Sequence, residues 1–195
     1  MVELMMAKYA LLNKIKSKID NARQKARKKN FEQVMFTRQE RVKLDFSFCV
    51  DFKEHMYDGI PTYHGSYAFK KHYLGAKNIP YMDTDEEVEC AKAIDSLPGV
   101  KYWVRNVARN QNSFRLPTST DNFYPDFVAL MEDGRILVVE YKGGHLLSTD
   151  DTKEKENIGL LWQKQSNGKG VFVMASKKIN GLNVSEQIRL ALGEL

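Results

Sequence analysis

Two apolar runs joined by a short Glu-Asp-Gly link constrain this chain more than any other feature. Tyr124 to Met131 reads as one strand and Arg135 to Tyr141 as the next, with Glu132-Asp133-Gly134 between them. Loop length then decides the register of the hairpin. A two-residue Asp133-Gly134 turn pairs Glu132 with Arg135 and sets Asp126 opposite Tyr141. A three-residue loop pairs Met131 with Arg135 and sets Asp126 opposite Glu140. Lys142 then shares that face, because alternate residues of a strand point the same way. Glycine at the third loop position suits the left-handed residue of the accompanying bulge. The expectation is therefore the three-residue form, and a pairing of Leu130 with Leu137 would contradict it.

The flanking segments extend this hairpin into a recognisable order. Thr84 or Asp85 can cap a helix with an acidic first turn, which suits the helix dipole. Cys90, Ala91, Ile94 and Leu97 form its apolar face, and Pro98-Gly99 ends it. Val100 to Val107 reads as a strand. After the hairpin, Asp150 or Asp151 caps a second helix with Ile158, Leu161, Trp162 and Gln165 on one side, closed by Asn167-Gly168. Val171 to Ala175 is a buried strand, and Val184 to Leu192 a short terminal helix. The expectation is an α/β fold with an α-β-β-β-α-β core. Its sheet is mixed, since the crossover through the second helix makes the last two strands parallel.

Upstream lie two further segments. Residues 3–29 lack Pro and Gly and read as one long helix, with Leu12, Ile15, Ile19, Ala22 and Ala26 at the alternating three- and four-residue steps of a helical seam. Such a helix packs on its own domain or a partner helix, or lies as a basic arm on nucleic acid. Residues 31–82 are rich in aromatics, and Leu44, Phe46, Phe48 and Val50 alternate with polar neighbours as in a strand. The expected organisation is a basic N-terminal helix over 1–30, an aromatic-rich, β-containing lead-in over 31–82, and a core with its C-terminal helix over 83–195.

The chain carries a formal charge of +5, but that charge is uneven. Residues 1–30 hold nine basic and two acidic side chains, so the remaining 165 residues are slightly acidic. No apolar run approaches the roughly 20 residues that span a bilayer. The two cysteines, Cys49 and Cys90, provide neither a disulfide framework nor a four-ligand zinc site. A cytoplasmic setting without a membrane is the expectation. No phosphate-binding Gly-rich loop ending in Lys-Ser/Thr occurs, so no ATP site is expected in this chain.

The chemistry concentrates on the hairpin. A carboxylate and a lysine, Glu140 and Lys142, close an otherwise apolar strand, where burial without purpose is costly. Two carboxylates and a lysine converging at a sheet end suit metal-assisted hydrolysis of a phosphodiester. Mg²⁺ prefers hard oxygen ligands and retains waters, so two carboxylates suffice as anchors. Lys142 can position a water or stabilise developing negative charge. From Pro98 to Thr120 the chain holds Lys101, Arg105, Arg109 and Arg115 and no acidic residue, a candidate phosphate grip leading into the hairpin.

These residues resemble the PD-(D/E)xK nuclease superfamily. Within it, the chain is most similar to the C-terminal endonuclease domain of type III restriction enzyme Res subunits and related DEAD/DEAH helicases. The resemblance is carried by Tyr67–Tyr73, Glu86–Ala91, Val100–Asn106, Phe123–Val128, Asp133–Gly143, Lys153–Lys155 and Gly159–Trp162. It implies a restriction-endonuclease-like core, Asp126 and Glu140 as metal ligands with the Tyr141 carbonyl adding a third, and Lys142 as catalytic lysine. It also implies a Glu from the first core helix near the site. Glu87 lies on the core-facing stripe and is the choice, ahead of Glu89 and Glu86. The implied function is a Mg²⁺-dependent DNA endonuclease of restriction-modification type, with Mn²⁺ as possible substitute, separated from its helicase motor. Alternatives are a repair-type exonuclease or junction nuclease of the same fold, or a catalytically silent DNA-binding or assembly domain. The expected partners are double-stranded DNA, a helicase, translocase or methyltransferase subunit, and a second copy through the N-terminal helix.

Overall fold

The computed structural model describes residues 2–37, 51–143 and 149–195, and the proposed Leu44–Val50 strand lies outside them. The chain divides into two compact units, Met1–Lys43 with Pro117–Asn122, and Leu44–Leu116 with Phe123–Leu195. In the first unit, α1 runs over Val2–Thr37, longer than the sequence pattern required because no Pro or Gly interrupts it.

The second unit is an α/β assembly around a mixed four-stranded sheet. The four strands of this sheet and the helices around them follow the order α2 (Asp85–Ser96), β1 (Val100–Arg105), β2 (Phe127–Met131), β3 (Ile136–Tyr141), α3 (Asp150–Gln165), β4 (Gly170–Ala175) and α4 (Val184–Leu192), with two-residue strands at Leu116–Pro117 and Asn122–Phe123 outside it. The strands lie in chain order; β1–β2 and β2–β3 are antiparallel and β3–β4 is parallel. Local chemistry fixes the helix ends. The Thr84 hydroxyl accepts from Glu87 N at the start of α2. At α3 the cap is Thr149, accepting from Thr152 N, one residue before the Asp150 or Asp151 expected from sequence. Asp150 and Asp151 instead occupy the first turn, where their charge favours the helix dipole. Asn183 and Glu186 form a capping box at α4.

The hairpin adopts the three-residue loop. Ala129 pairs with Leu137 and Leu130 with Ile136. Met131 N donates to Arg135 O at 2.9 Å, and Gly134 takes the left-handed backbone at φ 85°. Extending this register sets Asp126 level with Glu140.

Both sheet faces are covered, so strand residues are buried on alternate sides. One face gathers Trp103, Phe127, Leu137, Val139, Val171 and Val173 against Cys90, Ala91 and Ile94 of α2 and Ile188 and Leu192 of α4. Toward α3, the opposite face brings Phe172 against Gly159, where a Cβ would stand 2.4 Å from the Phe172 ring; this close approach requires glycine. Phe69, Ile79 and Met82 of the lead-in belong to the first of these cores, so the described part of 51–82 is continuous with it. That part pairs only through single bridges, Thr62 with Pro80 and His72 with Trp103. Asp95 of α2 anchors it, accepting from Trp103 Nε1 at 2.9 Å, Lys71 N at 2.8 Å and Lys70 N at 3.0 Å.

Candidate active site

Three strands end side by side where the sheet meets the start of α2, and each ends on a charged or polar residue. The β1 strand ends at Arg105 with Asn106 following, β2 begins after Asp126, and β3 ends in Glu140, Tyr141 and then Lys142. Asn106 fixes the entry to β2. Its backbone N–H donates to Asp126 O at 2.8 Å, and its side-chain amide donates to Pro125 O at 2.7 Å and Phe114 O at 2.9 Å. Its carbonyl accepts from Phe114 N at 2.8 Å. A buried amide with these partners holds the Pro-Asp turn in place.

Asp126 uses both carboxylate oxygens. Oδ2 accepts from Tyr141 N across the hairpin at 2.7 Å, and Oδ1 accepts from Arg105 Nη1 at 3.1 Å. Arg105 also donates from Nη2 to Glu87 Oε2 at 2.9 Å, so one guanidinium joins the α2 carboxylate to the hairpin carboxylate. Asp83 Oδ2 lies 3.9 Å away. Phe127 lies beneath the guanidinium, 5.3 Å from ring centroid to Cζ. Tyr57 Oη donates to Arg105 O at 2.5 Å, fixing the backbone below.

Glu140 is 4% exposed, and its Oε1 accepts from Lys142 Nζ at 2.7 Å. Among the described residues its Oε2 has no hydrogen-bond partner. Burial, then the charge of Asp126, pushes the Glu140 carboxyl up to about 8 against the pull of Lys142. Burial also opposes the charge on Lys142, but Glu140, Asp126 and Asp151 outweigh it and hold the ammonium above its ordinary value. Burial raises Glu87 too, with Arg105 acting the other way.

The structure thus brings Asp126, Glu140, Lys142 and Glu87 to one end of the sheet. Glu87 and Arg105 arrive from the α2 side, Glu140 and Lys142 from the other. Glu86 and Glu89 do not join them. Glu89 pairs with Lys92 at 2.6 Å on the surface, and Glu86 lies by the Tyr141 ring, in a groove of about 570 Å³ lined also by Lys177 and Val184. Lys101, Arg109 and Arg115 are exposed. Arg105, expected as part of a phosphate grip beside the site, is instead turned inward. It is 8% exposed and committed to the two partly buried carboxylates of Glu87 and Asp126, whose charges need a cation. Sequence reasoning also missed Asn106. The signal available was positional: β1, like β3, is an apolar strand that closes on polar residues.

The cluster offers hard oxygen donors. Among the described residues, no group of three or more His, Cys, Asp and Glu side chains stands ready to hold a metal ion. Asp126 and Glu140 nevertheless fit a divalent cation of the Mg²⁺ class, which takes one or two carboxylates and keeps several waters. The buried Glu140 Oε2, without a hydrogen-bond partner among the described residues, is the observation favouring such a fit, since a buried carboxylate oxygen without a donor is costly. No family model, curated protein or solved structure matches the chain.

Proposed function

We propose that this chain is a Mg²⁺-dependent DNA endonuclease with a restriction-endonuclease-like core of the PD-(D/E)xK type, similar to the nuclease domain of type III restriction Res subunits. The observation that carries the reading is the hairpin register. It sets Asp126 level with Glu140, and Lys142 lies 2.7 Å from the latter. The element order α2-β1-β2-β3-α3-β4 supports it. Asp126, Glu140 and the Tyr141 carbonyl would hold the cation, which when bound polarises the phosphodiester and acidifies a water.

The protein's own groups take distinct parts. Lys142, held charged at neutral pH, acts as an electrostatic donor toward developing negative charge rather than as a base. Arg105 and the Tyr141 N–H fix the Asp126 carboxylate in orientation. Glu87 sits behind Arg105 and sets the guanidinium. Of the four basic residues between Pro98 and Thr120, Lys101, Arg109 and Arg115 lie on the surface as DNA-phosphate contacts would require, and Arg105 does not. A cytoplasmic restriction-modification role, alongside a motor or a methyltransferase subunit, accords with this chemistry.

The test is nicking of supercoiled plasmid with Mg²⁺, comparing wild type with Glu140→Ala and Lys142→Ala. Activity in the wild type that falls at least a hundredfold in both variants is the expected result. Equal activity in all three, or none in the wild type while DNA is bound, overturns the reading. Circular against linear substrates then separates endonuclease from exonuclease action.

A further inference from the structure

The long helix α1 carries an apolar stripe with its edges charged in one sense. Starting the heptad at Leu12, positions a and d are Leu12, Ile15, Ile19, Ala22 and Ala26. All five are exposed, and Leu12, Ile15 and Ile19 expose 45–50% of their surface. Leu11 and Tyr9 beside them are about 60% exposed. Large aliphatic residues repeating at this interval along a helix are the seam of a coiled coil, in which each inserts between four residues of a facing helix.

The flanks decide what can face this seam. Positions e and g through the same stretch are Lys16, Lys18, Arg23 and Lys25 after Leu11, with no acidic residue among them. The nearest acid, Asp20, sits outside the seam and reaches Arg23 only at 3.9 Å. In a parallel pair of identical helices, Lys18 would face Arg23 of the second copy, twice by symmetry. In an antiparallel pair, Lys and Arg would again meet Lys and Arg. Both arrangements are repulsive, so the charge pattern works against a second copy of this chain. DNA accounts for the lysines but not for the aliphatic stripe between them. A partner helix with an apolar seam and acidic edges accounts for both.

We propose that α1 is a docking helix for an amphipathic helix of a partner protein whose flanking positions are Glu or Asp. The pairing is a heterodimeric coiled coil of about two heptads, and the short Ala22 and Ala26 side chains let the helices approach closely at that end. This inference is independent of the nuclease reading.

The test uses the full chain and two labelled synthetic peptides of four heptads with identical Ile and Leu seams, one flanked by Glu and the other by Lys. Fluorescence anisotropy is expected to show binding of the Glu peptide at least tenfold tighter than the Lys peptide. It should weaken with added salt and fall at least tenfold in the Ile15→Asp/Ile19→Asp variant. Those positions are exposed, so circular dichroism should show the variant folded. Equal binding of both peptides, or of neither, overturns the proposal. So does sedimentation showing a dimer of the wild-type chain that Ile15→Asp/Ile19→Asp dissolves, which assigns the seam to a second copy. Duplex DNA binding that depends on Lys16, Lys18, Arg23 and Lys25, with no peptide binding, assigns α1 to nucleic acid instead.

Discussion

Replacing Arg105 by Met removes the cation that joins Glu87 to Asp126 while keeping most of the side-chain volume over Phe127. Asp126 retains the Tyr141 N–H but loses its charged partner, and Glu87 loses its hydrogen bond from Nη2. Removing one partner of a buried ion pair costs about 3–5 kcal/mol, because the remaining charge stays desolvated. The Glu87 and Asp126 side chains are 14% and 18% exposed, which admits some water and places the cost near the lower end, about 3 kcal/mol. For a chain of this size that corresponds to a fall of about 6–12 °C in Tm.

Thermal and urea unfolding in EDTA at pH 8 measure the effect. Glu87→Gln in the Arg105→Met background should recover about 1–2 kcal/mol, since it removes one of the stranded charges. The loss should also be smaller at pH 5 than at pH 8, because protonation toward low pH relieves Glu87, whose carboxyl burial already raises. A loss below about 0.5 kcal/mol, or strict additivity of the two substitutions, would refute the assignment of Arg105 as the charge partner of this cluster.

Glu140 gives a pH dependence of opposite sense to that of an ordinary ion-paired carboxylate. Its folded value, pushed to about 8, exceeds the unfolded one, so the folded state binds more protons in between. Stability in EDTA should therefore fall as pH rises from about 4.5 to 8, by on the order of 3 kcal/mol, and Glu140→Gln should flatten the slope; a wild-type profile rising over that window contradicts the burial argument. Asp95→Ala strands the Trp103 indole N–H and two backbone N–H groups and should cost about 3 kcal/mol in urea unfolding; a loss under about 1 kcal/mol would show that water takes its place. Substituting Lys101, Arg109 and Arg115 together with Ala should weaken DNA binding and reduce the slope of log affinity against log salt by about 2–3, whereas an unchanged slope excludes them from phosphate contact.

The core was legible because its signals are local. The acidic first turn after Thr84, the two-residue alternation on the hairpin and the Pro98-Gly99 stop each act within a few residues. The hairpin register followed from a glycine whose position only one loop length satisfies. Arg105 was misplaced for a different reason. Charge along the chain from Pro98 to Thr120 is basic throughout, and nothing in that stretch shows that three acids from other segments fold against one of its members. A register shift between Val100 and Tyr102 also breaks the alternation that would have put Lys101 on the same side as Arg105, leaving one in solvent and the other inside. The α3 cap moved to Thr149 because Thr and Asp are all competent caps, and only the path of the preceding chain chooses among them.

The Glu132–Gly134 loop has a consequence for how such a chain tolerates change. Its three residues are exposed and Glu132 accepts nearly any side chain, whereas Asp133 accepts from Arg135 N and Nε, and the number of residues is fixed. Deleting one would rotate the whole of β3 by half a turn relative to β2, sending Glu140 and Lys142 into the aliphatic layer under α2 and bringing Val139 and Tyr141 out to replace them. Substitution and length variation, which are usually tolerated together at a surface turn, are therefore uncoupled here. Among variants selected for activity, the loop should drift in identity at Glu132, keep glycine at 134, and not change at all in length.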